Sequence, residues 1–370
     1  MKITSVTVTG IKLPLLRPFI VAYETYYDMP TLLIKIETDA GITGYGEATP
    51  DQHVTGETWE STYSMLVHHL APSVIGENPF HMERIHEKMK GLVYGSPSAK
   101  AGIDIACYDI MGKVTGQPIY NLIGGLYHET LPVPYVVSIL APEVMAEEAA
   151  DALRQGYSTI KIKVGTDPII DVERIRAVRK AIGDKVQLRV DANQGWRNRA
   201  TSMWVLDQVK DCSIDWIEQP VIADDITALA EVRRQTRIPV MIDEGVHGDR
   251  EIRETIVKQA ADKLNIKLMK CGGIYPATRL VAQAEMAGME CQVGSMVESA
   301  IASAAGAHLC AAKKAIISNE LVGPLMFSRD VAVMPYEDKA IKLTDRPGLG
   351  LDVDEQVVAE LAQMSTVVMK

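Results

Sequence analysis

The feature that most restricts what this chain can become is a regular alternation from residue 132 onward. Short apolar runs, "PVPYVVSI", "STIKIKVG", "VQLRVDAN", "IDWIEQP", "IPVMIDEG", "LNIKLMKCGG", "ECQVGSM" and "AIISNEL", are separated by amphipathic stretches of helix length such as "PEVMAEEAADALRQG". Strand and helix in strict turn, with strands apolar on both faces, specify a parallel sheet covered by helices. Eight such strands in about 190 residues suit a closed barrel better than an open, doubly wound sheet.

The residues ahead of this alternation read differently. Residues 3–12 and 31–38 read as strands joined through the aromatic, proline-flanked "RPFIVAYETYYDMP", and glycine-rich "GITGYGEATPD" follows. Helical patterns fill about 57–115, and "GGLYHETLPVP" marks the junction to the alternating region. From "RPGLG" to the end no further strand-helix repeat occurs, so this stretch is expected to pack back on the N-terminal region.

Bulk properties narrow the function. A formal net charge of -10 argues against a general affinity for nucleic acid or for an anionic membrane. No charged-then-apolar leader opens the sequence and no apolar run approaches ~18 residues, so a cytoplasmic protein is expected. Cys107, Cys212, Cys271, Cys291 and Cys310 form no CxxC and read as reduced, inert thiols. The eight histidines show no ligand spacing and none is assigned to chemistry.

Within "STIKIKVG" the period-2 alternation of a strand puts Ile160, Ile162 and Val164 on one face and Lys161 and Lys163 together on the other. Two lysines side by side inside a barrel require nearby negative charge, either as a salt-bridged structural pair or as part of a site. Active sites of parallel barrels form at the C-terminal ends of the strands. There the sequence places Lys163, Asp191, Glu218, Asp243 and Lys267, at intervals of 28, 27, 25 and 24 residues, then Glu298 just past its strand and Glu320. Any one of these acids alone would read as a helix cap. Three hard oxygen ligands from neighbouring strands, with no His or Cys beside them, suit Mg²⁺ and not zinc. Lys163 on the second strand and Lys267 on the sixth fall roughly opposite one another, a pair able to take a proton from one face of a carbon and return it to the other.

The motifs "KIKVG", "RVDANQGW", "WIEQP", "MIDEG" and "NIKLMKCGG", with N-terminal "TDAGITGYGE" and "SAKAGIDIACYDIMGK", resemble the muconate lactonising subgroup of the enolase superfamily, in which a Lys base works with Mg²⁺. The resemblance implies an α/β fold: a (β/α)₇β TIM-like barrel with an α+β capping domain. The boundaries expected are 1–125 for the N-terminal part of the cap, 126–330 for the barrel and 331–370 for a segment returning to the cap. It also implies an isomerase with Asp191, Glu218 and Asp243 as Mg²⁺ ligands, Lys163 and Lys267 as the acid/base pair, and Lys161 on the substrate carboxylate. A small-molecule substrate and a homo-oligomer are expected.

The subgroup spans cycloisomerases, o-succinylbenzoate synthases, racemases and epimerases, so the fold does not choose the substrate. Relatives that epimerise dipeptides carry an Asp-x-Asp after the eighth strand to hold a free ammonium; here "NELVGP" puts Glu320 and Val322 there, which suits an uncharged, acylated nitrogen. The loop "EATPDQHVTGE", with "DWIEQPVIADDI" and "CQVGSMVES", resembles N-succinylamino acid racemases acting on arginine and lysine derivatives. That resemblance makes Asp51, on a loop expected to close over the barrel near Phe19, the partner of a cationic side chain, although a lone loop acid is more simply a solvated one. Ser295, Glu298 and Glu320 join Lys161 as expected substrate-binding residues. The alternatives are a dipeptide epimerase for cationic dipeptides, or an o-succinylbenzoate synthase or muconate cycloisomerase.

Overall fold

The computed structural model describes residues 1–369. Its N-terminal part is an antiparallel sheet of β1 (Ile3–Ile20), β2 (Thr25–Thr38) and β3 (Thr43–Ala48). Next come β4 (Leu131–Pro132) and eight strands in sequence order: β5 (Tyr135–Val137), β6 (Thr159–Lys163), β7 (Gln187–Asp191), β8 (Trp216–Glu218), β9 (Val240–Ile242), β10 (Lys263–Ile266), β11 (Glu290–Val293) and β12 (Ile316–Asn319). Seven of the eight fall within the apolar runs read from the sequence, and β10 begins one residue ahead of its run. They form one parallel sheet with neighbours in chain order. The sheet curls until its ends meet: Lys161 on β6 bonds Glu320 just past β12, and the Asn319 amide donates to Pro132 O (2.9 Å). The expected α/β barrel with a capping domain is the fold observed.

The chain's last part adds the hairpin of β13 (Tyr336–Glu337) and β14 (Ala340–Ile341), of which β14 pairs with β4, and β15 (Ala362–Met369), which pairs antiparallel with β1. The sequence reading ended β1 near residue 12, yet the strand runs on to Ile20, and most of "RPFIVAYETYYDMP" belongs to a β1–β2 hairpin. Pro14, Pro18 and Pro30 suggested a break, but a two-stranded ribbon beyond the sheet leaves many backbone N–H groups unpaired and so tolerates proline.

Two helices tie the cap to the barrel. Pro97–Thr115 and Ala300–Ala312 are apolar around most of their circumference, the pattern of a helix buried on all sides. Close approach demands glycine here: a Cβ on Gly46 of β3 would lie 1.9 Å from the Gly102 carbonyl oxygen. Among the described residues no helix is long and apolar enough to cross a membrane.

Candidate active site

The parallel ladder assembles the site. Lys163 pairs in register with Asp191 and Asp191 with Glu218, so the three lie level on adjacent strands and, as lateral neighbours in a sheet, face the same side. Glu218 is level with Met241, which puts Asp243, two residues on, on that same inward face. Lys267 directly follows β10, ahead of a single helical turn, Leu268–Cys271. The result is a cluster of buried charges at the C-terminal mouth. Lys163 Nζ donates to Asp191 Oδ2 at 2.6 Å, and Lys267 Nζ lies 2.8 Å from Asp243 Oδ2. Lys161, fully buried, stands between Asp191 (2.9 Å), Glu218 (2.8 Å) and Glu320.

Burial would raise both aspartates, but Lys161 and Lys163 outweigh it at Asp191, and Lys267 and Lys270 at Asp243, so both carboxyls sit well below the usual range. Burial pushes Glu218 up, and Asp191 adds to it. Burial works against charge on Lys161 and Lys267 too, yet their carboxylate neighbours prevail and raise both.

The donor set suits a hard divalent cation. Three buried carboxylates come from consecutive strands, and neither oxygen of Asp243 accepts a well-directed hydrogen bond although two ammonium groups lie beside it. Among the described residues no three His, Cys, Asp or Glu side chains already stand close enough to hold an ion. Lysine ammonium groups stand between the carboxylates, supplying the positive charge that a metal ion would bring.

Supporting residues fix the loops behind these groups. Gly165 (φ +111°) leaves room for the Ala192 carbonyl, 2.3 Å from where a Cβ would be, so the loops after Lys163 and Asp191 interlock. The buried Asp171 accepts from Gly165 N (2.8 Å), Trp196 Nε1 (2.9 Å) and Arg174 (2.7 Å). Gln219 accepts from Asp243 N (2.9 Å) and Gly245 N (3.2 Å) and donates to Val221 O (3.0 Å), holding the third carboxylate's loop to the second strand end.

The other anticipated residues divide. Glu320 is buried and accepts from Lys161 and from Gln292 (2.9 Å), so its carboxylate completes the lysine's surroundings. Ser295 donates to Glu298, whose carboxyl burial pushes up, and accepts from Val297 N (2.8 Å). Asp51 is not a solvated acid at a loop tip. It is 9% exposed, accepts from Tyr26 Oη and caps the amides of His53 (2.8 Å) and Val54 (3.0 Å). The sequence reading missed how this loop docks: His247 Nε2 bonds Val54 O (2.7 Å), Tyr23 stacks on His53 (4.6 Å between ring centres), and burial followed by Asp51 and Glu244 drives the Tyr23 hydroxyl's pKa up. Glu244, beside Asp243, was missed too. Among the described residues it bonds only Asn193 (3.1 Å), and burial, then Asp243, pushes it to about 7. Lys270, ion-paired with Asp243 (2.7 Å), was legible only in the Lys267/Lys270 spacing of "KLMK".

Comparison with known proteins gives this geometry relatives. Residues 3–124 match the mandelate racemase / muconate lactonizing enzyme N-terminal domain, and residues 144–357 the enolase C-terminal domain-like family. The chain is 54% identical to the N-succinyl-L-Arg/Lys racemase of Bacillus cereus over 100% of both chains, and the crystal structure of that racemase superposes with a TM-score of 0.99. It is 39% identical to the L-Ala-D/L-Glu epimerase of Bacillus subtilis over 95% of this chain and 97% of that one. A dipeptide epimerase of Enterococcus faecalis complexed with Mg and the dipeptide L-Leu-L-Tyr is 36% identical, with a TM-score of 0.91 over 95% of this chain and 99% of its own.

Proposed function

The chain belongs to the mandelate racemase / muconate lactonizing enzyme family of the enolase superfamily, and on that premise we propose a Mg²⁺-dependent racemase of N-succinyl-arginine and N-succinyl-lysine. It is an isomerase. The observation that carries the reading is the pair of contacts Lys163–Asp191 and Lys267–Asp243 at one barrel mouth, in a chain related over its full length to a racemase of that name.

In this reading Asp191, Glu218 and Asp243 hold the ion, which when bound supplies positive charge against the negative charge that α-proton removal leaves on the substrate carboxylate. Lys163 and Lys267 serve opposite faces of the α-carbon; one takes the proton and the other, as an ammonium, delivers one from the far side, inverting the centre. Lys161, held as an ammonium by its three carboxylates, attracts the substrate carboxylate. Two further acids support a cationic side chain: Asp51 and Glu244 both raise the Tyr23 hydroxyl's pKa, and among the described residues neither has a lysine or arginine within ion-pair distance. An arginine or lysine substrate would bring that missing charge. We place the enzyme in the cytoplasm, since all five cysteines are free thiols, and expect it to act on this small molecule as a homo-oligomer.

The test is a screen of N-succinyl, N-acetyl and dipeptide substrates for α-proton exchange in deuterated water. Exchange with N-succinyl-arginine and N-succinyl-lysine, lost on chelation and restored by Mg²⁺, is expected. Exchange confined to dipeptides would replace the reading with a dipeptide epimerase, which the apolar Val322 and the internally paired Glu320 disfavour.

A further inference from the structure

No ladder joins β5 to β12, and a cleft of about 290 Å³ lies at this seam of the barrel beneath the end of β1. Its inner walls are close to the chemistry. Val136 is the ladder partner of Lys161, Ser138 lies two residues further along that strand direction, and Val322 follows two residues after Glu320, the carboxylate that Lys161 bonds. Phe19 and Met326 add apolar surface. At the outer end stands Arg17. Its Nη2 donates to Glu148 and to Tyr135 Oη (2.8 Å), while its Nε and Nη1 donate to no protein group among the described residues.

We propose that this cleft receives the acyl arm of the substrate and that Arg17 binds a carboxylate at the far end of that arm. The enzyme would thereby select dicarboxylic acyl groups over monocarboxylic ones of equal length. The inference rests on the reading of the chain as an N-acylamino acid racemase. Apolar walls suit the methylene groups of the arm and would leave a free ammonium unpaired, which is the discrimination expected where Val322 replaces an acid. A guanidinium carries five donors in a planar fork, so Arg17 can keep Glu148 and Tyr135 on one nitrogen and offer the others to a second carboxylate. Glu148 orders the side chain in advance, reducing the entropy lost on binding.

The experiment compares kcat/KM for N-succinyl-arginine and N-butyryl-arginine, which share an acyl chain length and differ in the terminal carboxylate. In Arg17→Met the succinyl-to-butyryl ratio is expected to fall about 10–100-fold, the effect of one charge-assisted contact. Because Arg17→Met also frees Glu148 to repel the substrate, the double variant Arg17→Met/Glu148→Gln is measured alongside it, and the lowered ratio should persist there. An unchanged ratio in either variant, or a ratio restored in the double variant, overturns the assignment of Arg17. Failure of the wild type to racemise either compound removes the racemase reading and this inference with it, a result distinct from an active enzyme whose ratio does not move.

Discussion

Each of the two lysines credited with proton transfer is held by its own carboxylate, Lys163 by Asp191 and Lys267 by Asp243, so each can be removed without disturbing its counterpart. Lys163→Ala and Lys267→Ala should each abolish racemisation, with losses of at least about 10²–10⁴-fold, while each variant still exchanges the α-proton of one enantiomer. Incubation of separate enantiomers in deuterated water, read by mass, distinguishes them, and exchange of the same enantiomer by both variants would refute the two-face mechanism. The lysines and their three carboxylates were legible because each ends an apolar strand and the strand-helix unit repeats at nearly constant length. Other residues were not. Asp51 lies in a polar loop, and nothing local in "TPDQHV" announces that its carboxylate folds back on the amides of His53 and Val54. Glu244 follows Asp243 in sequence and reads as an ordinary loop acid; its burial and its bond to Asn193, 51 residues earlier, are set by the tertiary fold.

At the scale of elements, the cap is fastened to the barrel by carboxylates that plug helix N-termini. Glu47 on β3 accepts from Ser299 N (2.9 Å), Ala302 N (3.0 Å) and Ser299 Oγ (2.6 Å) at the start of Ala300–Ala312. Asp104 in Pro97–Thr115 accepts from Ile274 N (2.6 Å) and Tyr275 N (3.2 Å) at the start of Ile274–Met286. The first amides of a helix have no partner within it and carry the positive end of its dipole, so a buried carboxylate satisfies both needs. Glu47→Gln keeps the shape but turns one acceptor into a donor facing donors. It should destabilise the protein by about 1.5–3 kcal/mol, seen as a lower urea midpoint at unchanged slope; an unmoved midpoint would show that Asp330, which also accepts from Ala300 N (3.0 Å), caps this helix unaided. The helices themselves were legible from periodicity, and the eight barrel strands from their apolar runs. The long β1–β2 hairpin and β15 were not, because their pairing is decided by partners distant in sequence and not by any local alternation: Thr7 meets Val367.

For the molecule as a whole, His308 marks the place where cap, barrel and C-terminal segment meet. It lies fully buried in Ala300–Ala312, accepts from Tyr120 N at Nδ1 (3.3 Å) and lies 3.2 Å from Leu349 O at Nε2, which places its single proton on Nε2. Burial lowers its pKa from 6.5 to about 4, only partly opposed by the Leu349 carbonyl. Between those values the unfolded chain binds a proton that the folded protein refuses, so stability is present above the unfolded pKa and is lost as pH falls toward 4. A shift of that size corresponds to roughly 3 kcal/mol. Asp330 acts in the opposite sense, since burial, then Glu47, raises its carboxyl to about 7 and ionising it costs stability as pH rises toward that value. The two slopes overlap, so the pH profile of the wild type alone would conceal both. Comparison with His308→Gln separates them: glutamine can accept from one neighbour and donate to the other but does not titrate, and Asp330 is common to both proteins. The wild type's advantage over the variant should therefore shrink by roughly 3 kcal/mol between pH 7 and pH 4, measured from urea unfolding at several pH values. A difference that stays constant across that range would mean that His308 is hydrated in solution and that the junction of the three segments is looser than its buried imidazole requires.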